Sequence, residues 1–129
     1  MEGKSKMAKK KTIRGILIDA EHCTVREVEF ENTLESYYRL LNCTCVTAPS
    51  YDGKHDVIID DEGLLNGKSN FFELSRQEVY AGNGLIVGVD PSQGDWRSHS
   101  LSVESIRSQV CFVRFLRIGK QLVKCIIRK

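Results

Sequence analysis

Runs of β-branched and apolar residues recur along this chain with links too short to carry a helix between them. Thr12 to Asp19 (TIRGILID) closes on a polar turn at Glu21–His22, and Thr24 to Phe30 (TVREVEF) follows at once. A parallel pair of strands needs a crossover of a dozen or more residues, whereas an antiparallel pair needs only a hairpin. The two runs therefore predict an antiparallel hairpin. Alternation along the second run turns Val28 and Phe30 to the core. Asp52-Gly53 is a second turn signal, and it leads into His55 to Asp60 (HDVIID). Leu85 to Asp90 (LIVGVD) is an unbroken apolar run between turns at Gly82–Gly84 and Pro91–Gly94, which reads as a central buried strand.

Two segments carry helical spacing instead. Asn32 or Thr33 caps the first, with Glu35 at capping-box distance from Asn32. Leu34, Tyr37, Tyr38 and Leu41 recur down one face, and Asn42 stops the helix. Ser102 caps the second, with Val103, Ile106, Val110 and Val113 on one face and Gly119 as terminator. Cys43 to Pro49 is β-rich. Asp61 to Asn70 has no periodicity and reads as a loop. Phe71 to Tyr80 is ambiguous between a helical turn and an extended piece. Gln121 to Ile127 alternates weakly, as an edge strand or a frayed continuation of the helix. The fold expected is α+β: a mostly antiparallel sheet of about five or six strands with two helices. Residues 1–11 form a disordered basic leader, 12–118 a single α+β domain, and 119–129 a basic C-terminal extension.

The net charge of +2 conceals an uneven distribution: residues 1–14 carry +5, residues 105–129 carry +7, and the body between them carries −10. A nucleic-acid reader places its positive charge on its reading surface, so an acidic body argues against that role. No apolar run reaches the length of a membrane span, and the lysines of the leader precede no apolar signal region. Five cysteines make an odd number, which argues against a complete disulfide framework. The expectation is free thiols in the cytoplasm, with no membrane and no cofactor. Cys43 and Cys45 would share a strand face, but a metal site needs two further ligands.

Several stretches in fixed order resemble a small family of unknown function found in phages, plasmids and conjugative elements of Gram-positive gut bacteria. They are Ile13–Asp19, Val28 to Leu41 (VEFENTLESYYRLL), Ile58 to Asn70 (IIDDEGLLNGKSN), Leu85 to Asp90, and Ser100 to Ile106 (SLSVESI). The family pattern of an acidic residue, Gly-x-Leu-Asn-Gly and a later asparagine falls on Glu62, Gly63, Leu65, Asn66, Gly67 and Asn70. Where the family has Leu-Pro after Asn-Gly, this chain has Lys68-Ser69. The resemblance implies an origin on a mobile element and supplies no catalytic residues.

The chemistry-bearing residues are sparse. Gly67-Lys68-Ser69 ends like a phosphate-binding loop, but Glu62 stands where the first glycine belongs. Asp60, Asp61 and Glu62 read as a solvated turn at a strand end. Asn66 and Asn70 offer donor and acceptor together, which suits a base edge or a ribose. Lys68 lies between them. Trp96 can stack on a purine while Arg97 takes a phosphate. His22, His55 and His99 show no sequence-visible partner, so no catalytic set stands out. The candidate ligand-binding set is therefore Asn66, Lys68, Asn70, Trp96 and Arg97, converging on one cleft for a nucleotide-like small molecule. Three functions follow. The first is non-catalytic capture of a nucleotide-type immune signal, with a homo-oligomer building the pocket. The second is inhibition of a host defence nuclease or effector by the acidic body. The third is cleavage of such a signal.

Overall fold

The computed structural model describes residues 11–63, 69–75 and 78–127. The expected disordered leader lies outside the described residues, apart from Lys11. Ten strands and two short helices follow one another: β1 (Thr12–Asp19), β2 (Thr24–Glu31), α1 (Leu34–Leu41), β3 (Val46–Thr47), β4 (His55–Asp60), β5 (Phe71–Leu74), β6 (Glu78–Ala81), β7 (Gly84–Val89), β8 (Trp96–Arg97), α2 (Val103–Arg107), β9 (Val110–Ile118) and β10 (Gln121–Ile127). The expectation of an α+β fold with one sheet of about five or six strands is corrected: 52% of the described residues are strand and 12% helix, in two antiparallel sheets of six and four strands.

The larger sheet runs β2-β1-β7-β4-β3, with β8 also on β7. The β1–β2 hairpin pairs Thr12 with Glu31 through to Asp19 with Thr24. β7 is central, bonded to both β1 and β4. Its apolar run is explained by burial on both faces. Ile16, Ile18, Val57 and Ile86 face the smaller sheet, where they meet Phe72, Leu74 and Phe112. Ile13, Leu17, Ile58, Leu85 and Val87 face the other way, onto Tyr37 and Leu41 of α1. The larger sheet is thus the middle layer. β2 serves both faces, because Val25 is buried toward the smaller sheet and Phe30 toward α1, with Val28 half-buried. Gly84 makes the close approach possible: a Cβ there would stand 2.4 Å from the Phe72 ring.

The smaller sheet, β10-β9-β5-β6, accounts for most of what the sequence reading lacks. The ambiguous segment after Asn70 is the β5–β6 hairpin, with Phe72 opposite Tyr80. The second helix, expected to run toward Gly119, ends at Arg107 with Ser108 as its C-cap. Val110 to Ile118 is a strand instead, held between β5 and β10. Val110 and Val113 lie three apart and satisfy a helical pattern, yet this stretch is rich in Val, Phe and Ile, and pairing on both edges overrides the period. Gly119, at φ 64, belongs to the two-residue turn of the β9–β10 hairpin. The boundary placed after residue 118 falls within that turn.

Both caps follow their chemistry. Thr33, not Asn32, caps α1, its Oγ1 accepting from Ser36 N at 3.2 Å. Asn42 closes the helix in the left-handed region, at φ 53. Ser102 caps α2 through its Oγ, 3.2 Å from Ser105 N. No helix among the described residues is long and apolar enough to cross a membrane.

Candidate functional site

The ligand set expected from the sequence does not converge among the described residues. Asn66 and Lys68 lie outside them. Asn70 leads straight into β5 rather than a helix, and its carbonyl accepts from Gly82 N at 2.8 Å, beside the start of β7. Trp96 and Arg97 pair with Val89 and Gly88 at the other end of β7. The strand between those ends spans roughly 20 Å at the usual rise per residue. Asn70 does border a hollow, a small one of about 220 Å³ that also takes in Asn42, Asn83 and Glu21.

Trp96 is committed to packing. Its indole meets the Tyr37 ring edge-on at 5.0 Å, and its Nε1 donates to Asp56 Oδ2 at 3.1 Å. Tyr37 in turn meets Phe30 at 5.5 Å and donates its hydroxyl to Asn32 Oδ1. Asn32 Nδ2 returns a bond to the Trp96 carbonyl at 3.0 Å. Burial pushes the Tyr37 phenol far above its ordinary range, so it stays a neutral donor. This closed ring of aromatics and amides ties α1 to β8, and no spacing along the chain marks Asn32 for it rather than for the helix cap.

The larger hollow is a cleft of about 770 Å³ where the two sheets part beneath α2. Cys23 and Thr24 border it from the β1–β2 turn, Ser75 from the end of β5, Arg107 and Gln109 from the foot of α2, and Cys111 from β9. Val25, Phe112 and Ile127 give it apolar walls. No carboxylate lines it among the described residues. Arg107 Nη2 donates to the Val25 carbonyl at 2.7 Å and Nη1 to Glu104 at 2.5 Å, which fixes the guanidinium at the rim with half its surface in solvent. Gln109 Oε1 accepts from Tyr51 at 2.7 Å and from Ser75 at 2.5 Å. Among the described residues three non-glycine residues hold a positive φ, and two of them, Cys23 (56°) and Ser75 (57°), border this cleft. No periodic or motif signal marks these residues, which come from four distant segments.

Two buried histidines acquire partners invisible in the sequence. His55 is buried, with Nδ1 3.1 Å from the Asp52 carboxylate and Nε2 3.2 Å from Ser100 N and 3.3 Å from Ser100 Oγ. His99 Nε2 lies 2.6 Å from Glu27, and its Nδ1 accepts from Leu101 N at 3.1 Å. The acid–imidazole–serine order of Asp52, His55 and Ser100 has the connectivity of a hydrolytic triad. One lone pair on Nε2 cannot serve both the backbone N–H and the hydroxyl of Ser100, however, and neither cleft is lined by these residues. Both imidazoles act as clamps, each joining a carboxylate to a backbone N–H of the segment entering α2. Burial raises the Asp52 carboxyl, but hydrogen bonds from Lys54 N and His55 outweigh it and hold the group below its usual value.

The remaining candidates resolve into local structure. Asp60 is buried and accepts from Glu62 N at 2.9 Å, while Asp61 and Glu62 are exposed, which makes a strand-end turn. Cys43 and Cys45 precede the short β3 rather than sharing a strand face. Partial burial and the Asp61 carboxylate, 3.8 Å from Cys45 Sγ, push that thiol above its ordinary value. A Cβ at Gly63 would stand 2.8 Å from that of Ala81, so this position of the family pattern is set by a close approach to β6. No curated protein and no solved structure matches the chain. Residues 13–110 match the domain of unknown function DUF3846, most of the folded core, and the chain belongs to that family.

Proposed function

We propose that this protein captures a phosphorylated, nucleotide-type signalling molecule in the cleft between the sheets and releases it unchanged. On this reading the chain is carried by a phage or other mobile element of Gram-positive bacteria and blunts a nucleotide-signalled defence in the host cytoplasm. The observation that carries the reading is the chemistry of the cleft. Its volume lies within the range of small-molecule sites. Its charged lining is one oriented guanidinium, suited to a phosphate. The hydroxyls of Thr24 and Ser75 and the Gln109 amide can meet a ribose or base edge. Val25 and Phe112 offer an apolar bed for the base.

The test has two arms. Mass spectrometry identifies any small molecule that leaves the protein on denaturation after purification from cells with an active signalling defence. In parallel, the melting temperature is followed with cyclic and linear ADP-ribose nucleotides. A ligand present at about a hundred times its Kd adds about 2.7 kcal/mol of stability, a shift of several degrees. Arg107→Gln removes that shift and Arg97→Gln leaves it. No shift with any nucleotide, or a shift insensitive to Arg107→Gln, refutes the reading. Recovery of the intact nucleotide after prolonged incubation separates capture from cleavage.

A further inference from the structure

Two buried imidazoles hold the segment that enters α2, each at one of two successive residues. The His55 side chain is 4% exposed and that of His99 5%, while their carboxylate partners Asp52 and Glu27 are more than a third exposed. His55 Nδ1 faces both oxygens of Asp52 at 3.1 Å, and its Nε2 faces Ser100 N. His99 Nε2 faces Glu27, and its Nδ1 faces Leu101 N. An ionised carboxylate only accepts, and a backbone N–H only donates. Each ring therefore carries its one proton on the carboxylate side and a bare lone pair on the backbone side. A second proton leaves the carboxylate bond intact and sets a ring N–H against a backbone N–H. Ser100 Oγ, 3.3 Å from His55 Nε2, can then accept from that ring, but the Ser100 N–H still loses its acceptor.

Among the described residues no charged group takes over as acceptor for Ser100 N or Leu101 N. Beside His99, Arg14 of β1 lies 3.5 Å from the same Glu27 carboxylate, Glu29 stands opposite Arg14, and Glu104 and Arg107 of α2 pair with each other. Beside His55, Lys54 and Asp56 flank it in the chain, Asp56 holds the Trp96 indole, and Arg97 lies across Gly88. α2 itself has only five residues, and a helix that short does not stand without tertiary support. That support includes the clamped segment before Ser102, the buried Ile106 and the Arg107 bond to the Val25 carbonyl. We infer that His55 and His99 form a pH-sensitive latch: protonation of the two rings releases Ser100 and Leu101, loosens α2 and withdraws Arg107 and Gln109 from the cleft. Histidine changes charge between about pH 5 and 8. The closed latch needs neutral rings, so it is shut at the upper end of that range and opens toward the lower. It does not rest on the ligand proposed above, and its test reads the protein alone.

Amide hydrogen exchange followed by NMR tests it on the full chain, with each rate divided by its intrinsic rate at the same pH. One proton taken up on opening raises the open fraction by up to about tenfold per pH unit, and two raise it by up to about a hundredfold. Protection of Ser100, Leu101 and Gln109 therefore falls at least about tenfold from about pH 7.5 to about pH 5.5, while Ile86 at the centre of β7 keeps its protection. With His55→Leu and His99→Leu together, the three amides are poorly protected already at about pH 7.5 and change no further with pH. Protection retained at any of the three down to about pH 5 overturns the inference, as does an equal loss at Ile86, which marks global unfolding. So does a doubly substituted protein that keeps the pH dependence. If that variant does not fold, the three amides measured against Ile86 in the unaltered protein decide.

Discussion

Trp96→Phe separates a packed tryptophan from a ligand-stacking one. The substitution keeps an aromatic ring against Tyr37, 5.0 Å away, and removes the Nε1–H that lies 3.1 Å from Asp56. A hydrogen bond to a charged acceptor contributes about 1.5–3 kcal/mol. The site is only half-buried, so water replaces part of that bond and the cost falls to about 1.5 kcal/mol. Trp96→Ala also loses the edge-to-face pair and the buried ring, which brings it to about 3 kcal/mol against the 3–5 of a fully buried aromatic. Urea unfolding followed by circular dichroism measures both. A double-mutant cycle with Asp56→Asn gives a coupling of about 1 kcal/mol if the indole–carboxylate bond is the cause. Nucleotide affinity, where binding is found, is unchanged in Trp96→Phe. A variant with wild-type stability and a tenfold or greater loss of affinity refutes the packing argument and returns Trp96 to the ligand set.

Gly84→Ala forces a Cβ to within 2.4 Å of the Phe72 ring; thermal unfolding shows a loss of about 1–3 kcal/mol, and Phe72→Leu recovers part of it. His55→Ala leaves the Ser100 N–H and the Asp52 carboxylate without their shared partner, at a cost of about 2–3 kcal/mol in denaturant melts, whereas Ser100→Ala changes stability by less than about 0.5 kcal/mol; equal losses from both would argue that the hydroxyl matters in its own right. Burial raises the Asp19 carboxyl, but the bonds from His22 and Arg26 prevail and set it below its usual value, while Asp19 raises His22. The Asp19 contribution is present above its unfolded value near 3.9 and lost as pH falls through the lowered folded value. The His22 contribution is present below about pH 6.5 and lost as pH rises through the raised folded value. Stability measured against pH therefore shows the gap between wild type and Asp19→Asn widest between about pH 4 and 6.5; a gap constant from acid to pH 9 refutes the pairing.

The elements legible in the sequence are those whose pattern is set by near neighbours. β1, β2 and their hairpin follow from a short link and β-branched residues, and α1 follows from its cap, its stripe and Asn42. β7 was legible as central because only a strand covered on both faces stays apolar throughout. The smaller sheet was not legible, because its strands depend on partners far off in the chain. Phe71–Leu74 pairs with Val110–Val113 across more than thirty residues, and Val110 and Val113 mimic a helical stripe until that pairing is known. The same limit governs the site. A tryptophan beside an arginine is a fair sign of a ligand, but Asp56, Asn32 and Tyr37 had already engaged the indole and its backbone. Cys23, Ser75, Arg107 and Gln109 meet only when two sheets diverge, and no spacing along the chain encodes that.

Two residues at the border of the cleft hold a strained backbone. A non-glycine residue held in the left-handed region costs about 1–3 kcal/mol. Asn42 is accounted for: it ends α1, and asparagine tolerates that conformation. Cys23 closes the β1–β2 turn and Ser75 follows β5, and a glycine in either place would make the turn with less strain. Glycine would also take a side chain from the same hollow. Ser75 Oγ fixes Gln109, which in turn holds Tyr51, so at this position the strain supports a hydrogen-bonded wall. Cys23 sets its thiol only 3.9 Å from the Ala20 carbonyl, a weak contact that offsets little. Cys23 also packs against the core that Val25, Phe72 and Ile106 share, so here too the strain is offset by contacts of the fold, at the border of the cleft.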